Sequence, residues 1–317
     1  MDVTFHPNPF AGLDSRAALL TPSEAVSMAL AEVRSLALPR RPDRGLLATF
    51  AERASGPLPK ARRTVRLQLL RQVPRSVPGR LLFERATGAE QLSLQSFVIH
   101  HPAARILVDP AIPAEVHTRV MPDLEPLMRA TIRPPASTIP TAVALQEAGI
   151  VPDISLCTHA HWDHVSGLLD LPALPALLRD TEVSWAATGA RAPAGGVRRA
   201  LGGRELFTFS LEGPPVLTFD HSHDLFGDGS VVLVDLAGHT PGSIGILLAT
   251  DSGPVLLAGD VAWHGMQIEQ LRQRSGFPGC LVDTDREANW RALHRLHVLP
   301  PSVQVIPSHD HGRATRI

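Results

Sequence analysis

The sequence predicts an α+β fold, with strands in two groups and helices outside them. Three observations carry that prediction. Short apolar, often β-branched runs read as buried strands: Ile154 to Cys157, Val231 to Val234, Val255 to Leu257 and Val303 to Ile306. Turn signals at Gly227-Asp228-Gly229 and Asp251-Ser252-Gly253 join neighbouring runs. Helical spacing appears between them, most clearly in Asp285 to Leu299, where Trp290, Leu293 and Leu296 share one face.

Taken in order, residues 1 to about 60 are punctuated by proline, and Ser23 to Leu38 is the best helix there. Thr21, Ser23 and Glu24 offer capping, and Val26, Leu30, Val33 and Leu36 fall near helical spacing. The arginines at 62, 63, 66, 71, 75 and 80 read as a solvated face or a contact between subunits, because no aromatic or Gly-rich partner accompanies them. Leu92 to Ile99 and Arg105 to Val108 read as a hairpin turning at His101-Pro102, and Pro140 to Ala148 as a short helix. Val165 to Leu178 starts as a helix that Pro172 and Pro175 break. Val183 to Ala186 reads as a strand, Ala194 to Leu201 as a helix, Val216 to Phe219 as a strand, and Ile244 to Ala249 with Pro254 to Leu257 as a hairpin. Residues 1–80 are expected to form an N-terminal extension, packed on the rest or on a second subunit, so a homodimer is one option. Residues 81–317 are expected to form the catalytic domain.

The 317 residues are 44% hydrophobic with a formal net charge of −1. That balance argues against nucleic acid or a membrane surface as partner. The start, Met1 to Pro9, lacks the basic and then apolar segments of a signal peptide, and no apolar run approaches a membrane span. Two cysteines make no disulfide framework, so the expected location is the cytoplasm. Lys60 is the sole lysine and tyrosine is absent, which looks like the coding bias of a GC-rich bacterial genome.

The densest chemistry lies in Thr158-His159-Ala160-His161-Trp162-Asp163-His164. Imidazole and carboxylate are the usual nitrogen and oxygen ligands of Zn²⁺ and similar metals. Residues two apart in an extended segment share a face, so His159 and His161 can grip one ion. The chain then turns, and Asp163 and His164 can face a second. Three more strand ends each deliver one potential ligand: His239 in Gly238-His239-Thr240-Pro241-Gly242, Asp260 after Ala258-Gly259, and His309 in Ser308-His309-Asp310. A solvated polar loop would not repeat this arrangement four times.

Motifs, order and spacing together resemble the metallo-β-lactamase superfamily over roughly residues 92 to 312. The resemblance implies a four-layer αβ/βα sandwich and two divalent ions, zinc first, with Mn, Co or Fe as alternatives. It implies His159, His161 and His239 on one ion, Asp163, His164 and His309 on the other, and Asp260 bridging them. The reaction it implies is metal-assisted hydrolysis, with Asp163 or Asp260 passing a proton to the leaving group. Asp260 stands where the β-lactamases with a cysteine ligand need Cys, which argues against a β-lactam substrate. The stretch His223 to Gly242 looks most like the N-acyl homoserine lactone lactonases. Those carry a tyrosine three residues after the bridging aspartate. Here that place is Trp263, and the adjacent His264 is a candidate donor to the substrate. The expected substrate is therefore a small lactone or other ester. The alternatives are a phosphotriester or phosphodiester hydrolase, a mononuclear iron sulfur dioxygenase of the same fold, and a retired binding scaffold. Asp109 is expected to orient a ligand histidine, and Trp263, Met266 and Phe277 to form either an apolar acyl pocket or core. His221 and His223 are placed at the site mouth, and His100, His101, His117, His294 and His297 are read as surface or satisfied histidines.

Overall fold

The structure, a computed structural model, describes residues 1–13, 20–189 and 191–317. In chain order the strands are β1 (Thr4–His6), β2 (Arg66–Leu69), β3 (Arg75–Pro78), β4 (Ala89–Leu92), β5 (Phe97–His101), β6 (Ala104–Val108) and β7 (Ile154–Leu156). They continue with β8 (Ala176–Arg179), β9 (Leu206–Phe209), β10 (Ser222–Asp224), β11 (Val231–Asp235), β12 (Ile244–Thr250), β13 (Gly253–Leu257) and β14 (Gln304–Ile306). Seven of them form one sheet in the order β1-β9-β8-β7-β6-β5-β2, and five form a second in the order β10-β11-β12-β13-β14. β3 and β4 make a separate antiparallel ribbon.

Side-chain alternation sorts each sheet into two faces. Ile99, Ile106 and Leu156 of the first sheet meet Val231, Leu233, Ile246 and Leu257 of the second in one shared core. The opposite face of the first sheet, with Val98 and Leu107, packs under helices through Leu145, Val183 and Val197. The opposite face of the second, with Val232, Val234, Leu247 and Leu256, packs under the Arg286–His297 helix through Trp290, Leu293 and Leu296. The layers run helix, sheet, sheet, helix, as the resemblance implies. β1 and β2, both from the first 80 residues, close the two edges of the seven-stranded sheet. No helix among the described residues is long and apolar enough to cross a membrane.

Several elements differ from the sequence reading. Val183 to Ala186 is not a strand but the middle of a helix, Asp180–Thr188, with Glu182, Val183, Ala186 and Ala187 turned inward. The strand of this region is β8. Its apolar run is buried between two parallel neighbours, so it shows no alternation to read. The helix at Val165 is a single turn, Trp162–Val165, running into a 3-10 segment. Val216 to Phe219 makes only one bridge, and the strand there is β10. Leu92 ends β4, and the β5–β6 hairpin begins at Phe97 and closes between His101 and Ala104.

The Pro22–Ala37 helix has the Thr21–Glu24 capping box expected of it. Its apolar stripe is nevertheless exposed, with Val26, Leu30, Val33 and Leu36 each at least 60% accessible. The helix docks through its other side. A Cβ on Gly276 would lie 2.4 Å from the Glu32 amide nitrogen, so glycine there lets the two backbones meet. Ser35 is buried at the contact, and its Oγ accepts from the Gly276 amide at 3.3 Å.

Candidate metal centre

Four strands of the two sheets end at one edge, and the chain leaving each carries polar residues inward. Past β7, His159 and His161 lie in extended chain, and His164 follows on the Trp162–Val165 turn. His239 sits between β11 and β12, Asp260 follows β13, and His309 follows β14. The edge brings together the seven residues expected as ligands. Three groups have all their donor atoms within 4.8 Å of one another: His159, His161 and His239; His159, His164 and Asp260; and Asp163, His164 and His309. Asp260 lies between the outer two groups. Its Oδ1 is 3.3 Å from Nε2 of both His164 and His309, and its Oδ2 is 3.4 Å from Nε2 of His239. Nδ1 of His161 faces Nε2 of His239 at 2.8 Å, and Oδ2 of Asp163 is 3.6 Å from Nε2 of His309.

The outward-facing nitrogens are anchored. His164 Nδ1 meets Asp109 at 2.9 Å, His239 Nδ1 meets Asp283 at 2.9 Å, His309 Nδ1 meets the Ser93 carbonyl at 3.1 Å, and His159 Nδ1 meets the Thr158 hydroxyl at 3.2 Å. Nε2 of His159 is buried without a partner, and Nε2 of His164 and Oδ1 of Asp260, though 3.3 Å apart, make no hydrogen bond of acceptable geometry. Buried polar atoms are rarely left so. Inward orphans on outwardly anchored rings fit bound cations, which take one donor atom from each ring while the other nitrogen fixes its orientation.

Electrostatics agree with that donor set. Burial, then the neighbouring imidazoles, hold His159 and His161 well below the ordinary histidine value, so both rings are neutral, the form a metal takes. Burial alone would raise the Asp260 carboxyl, but the His309 and His164 rings outweigh it and hold it well below the usual range. Burial would likewise lower His164, yet Asp260 and Asp109 outweigh it and hold its proton well above pH 6.5. A cation between these groups would take that proton's place.

Asp109, expected as an orienting group, accepts from the Thr158 amide and hydroxyl, both at 2.7 Å, besides His164. Three positioning residues were missed. Glu182 is buried and accepts from the Ala160 amide at 2.6 Å, the Thr240 hydroxyl at 2.8 Å and the Gly242 amide at 2.9 Å. It joins the loop of His159 and His161 to that of His239, and burial pushes its carboxyl up to about 7. A Cβ on Gly242 would lie 2.5 Å from the Glu182 Cβ, so only glycine admits this approach. The other two, Asp283 and Arg274, form a buried ion pair behind His239. The Arg274 guanidinium also lies 5.0 Å from the Trp263 ring centre. No local spacing announces these three, because each reaches a histidine-bearing loop across distant chain.

Trp263 donates its indole N–H to Oδ2 of Asp260 at 2.6 Å. His264 does not share that direction. Its Nδ1 accepts from the Met266 amide at 3.3 Å, and its Nε2 lies 3.6 Å from both Glu90 and Asp310. Asp310 caps the last helix and accepts from the Gly265 amide at 2.9 Å. Met266 packs beside the Val77–Phe83 cluster, and Phe277 is half-buried. His223 bonds to the Asp2 carbonyl, away from the edge. Above this cluster of histidines and aspartates opens a cavity of about 260 Å³, lined at its base by His161, Asp163, His239, Asp260, Trp263 and His309.

The sequence profile of the Metallo-beta-lactamase superfamily matches residues 91–309. A hydroxyacylglutathione hydrolase of Methylococcus capsulatus is 29% identical over 182 residues, 57% of this chain and 57% of that protein. The cytochrome P450 monooxygenase mpaDE' of Penicillium brevicompactum is 32% identical over 120 residues, 34% of this chain and 14% of that protein. The match thus spans little more than half of the first relative and a small part of the second. Among solved structures, an N-acyl homoserine lactone hydrolase with N-hexanoyl-L-homoserine bound superposes with a TM-score of 0.59 at 18% identity, over 80% of this chain and 97% of that one. The dizinc quorum-quenching lactonase AidC superposes with a TM-score of 0.55 at 13% identity, over 80% and 90%. At these identities the structural likeness is one of fold.

Proposed function

The chain belongs to the metallo-β-lactamase superfamily, and on that premise we propose that it is a metal-dependent hydrolase of a lactone or other ester. His159, His161 and His239 would hold one divalent ion, Asp163, His164 and His309 a second, and Asp260 both, with zinc the simplest occupant. The observation that carries this reading is the set of inward orphan atoms on His159, His164 and Asp260. When bound, the ions supply Lewis-acid activation of water and of the scissile carbonyl.

The chain's own residues do the rest. The Thr158, Asp109, Asp283 and Ser93 contacts set the ring orientations before any ion arrives. Trp263 holds the Asp260 carboxylate by its N–H, so that Oδ1 is left facing His164 and His309. Asp163 keeps some exposure, 17% of its side chain, on the cavity floor, whereas Asp260 is buried and hydrogen-bonded. Asp163 is therefore the better placed of the two to hand a proton to a leaving alkoxide. Trp263→Phe removes the N–H bonded to Asp260, together with part of the ring surface, and leaves an aromatic side chain beside Arg274. It is expected to weaken ion binding about 10–100-fold, read by competition against a chelating dye.

Metal analysis of the freshly purified chain tests the reading. Two equivalents of zinc, manganese or cobalt are expected, with ester turnover lost on chelation and restored on refilling. A single iron would point instead to the oxygenase chemistry, and no metal at all to a retired scaffold.

A further inference from the structure

We propose that Arg75 selects the substrate: the cleft takes an ester or lactone whose apolar body also carries a carboxylate, and Arg75 receives that carboxylate. The identity of the bond broken rests on the hydrolase reading above. The group recognised rests on the cleft wall itself.

Arg75 and Val77 are two apart on β3 and point the same way, and Leu92 on β4 stands opposite Arg75 in the ladder. All three line the cavity that has Asp163 and His309 at its base. Nη1 of Arg75 donates to the Arg133 carbonyl at 2.9 Å. Among the described residues no carboxylate lies within ion-pair distance of this guanidinium. The other charges on the wall are committed elsewhere. Glu24 pairs with Arg191 at 2.6 Å, Glu125 accepts from the Met128 amide at 3.0 Å, and Asp163 and Asp260 belong to the metal cluster.

The rest of the wall is largely aliphatic, with Val73, Val77, Leu94, Leu124, Met128 and Ile132. Burial pulls Arg75 below the ordinary arginine value, opposed by Asp163, yet a guanidinium stays charged in a protein. It is a partly desolvated cation with N–H groups to spare, facing a cavity. A planar fork of this kind matches a carboxylate better than any neutral acceptor. A single guanidinium balances a single negative charge. An aliphatic wall supplies nothing to balance a second, so a monoanion fits better than a phosphate dianion.

The test compares two 4-nitrophenyl esters of equal length, the monoester of octanedioic acid and the ester of octanoic acid. The wild-type chain is expected to favour the first in kcat/KM, and Arg75→Gln to cut that preference about 10–100-fold through KM. Arg75→Lys, which keeps the charge but not the fork, is expected to restore part of it. A preference that stays within about twofold of wild type in Arg75→Gln overturns the proposal. If neither ester is hydrolysed, the hydrolase reading fails separately, and calorimetric titration of the purified chain decides Arg75. Octanoate is then expected to bind Arg75→Gln about 10–100-fold more weakly than wild type, with octanamide binding the two alike. Equal octanoate binding by both proteins refutes the role.

Discussion

Asp260→Asn is expected to lower ester turnover by more than about 100-fold and to leave fewer than two ions on the purified chain. The side chain keeps its shape, so the loss isolates charge and donor identity. Asp260 is buried, with two imidazole nitrogens 3.3 Å from Oδ1 and a third 3.4 Å from Oδ2. An amide there has one acceptor oxygen where the carboxylate has two, and its NH₂ would point at a donor site. Changes to groups that merely orient ligands cost about 10–100-fold, so loss of a shared ligand should cost more. Turnover and ion count measured on the same preparation check this. A loss under about tenfold, with both ions retained, would remove Asp260 from the centre.

The second large effect is on stability. Arg274→Met is expected to destabilise the fold by about 3–5 kcal/mol, because it strands a buried carboxylate. Arg274 is fully buried and Asp283 nearly so. Nε of Arg274 donates to both Asp283 oxygens, at 3.1 and 3.2 Å. Burial would raise the Asp283 carboxyl, but Arg274 and His239 outweigh it and hold it down at about 2. Urea unfolding of the metal-free chain gives the cost without the contribution of bound ions. Arg274→Met with Asp283→Asn should recover more than half of it, since a neutral pair leaves no buried charge. If the double variant is no more stable than Arg274→Met, the pair is not the source of the loss.

The ligands were legible because each belongs to a short local pattern: an apolar run, then His, Asp or Gly-His. The hairpin across Asp251-Ser252-Gly253 and the helix capped by Asp285 were legible for the same reason, since turn and cap chemistry is local. What failed was read against a longer context. Val183 has strand propensity, yet its environment is a helix face fixed by Glu182, which reaches loops 22 and 60 positions away. Val26, Leu30, Val33 and Leu36 keep helical spacing, but the buried side of that helix is set by close approach at Gly276. Arg274 lies outside every motif, and only the folded chain brings it beside Asp283 and Trp263.

Glu182 has a consequence for how this scaffold changes over time. One carboxylate accepts from amides on both histidine-bearing loops, so neither loop can shift without breaking the other's contact. The cavity walls, in contrast, come from separate pieces of chain: the β3–β4 ribbon and the segments at 124–135, 191–194 and 278–282. None of those segments carries a ligand of the cluster. Mutations that reshape the walls away from Ser93 and Asp283, which anchor His309 and His239, therefore leave the ligand contacts in place, and a lineage built on this frame can drift among substrates while its chemistry stands still.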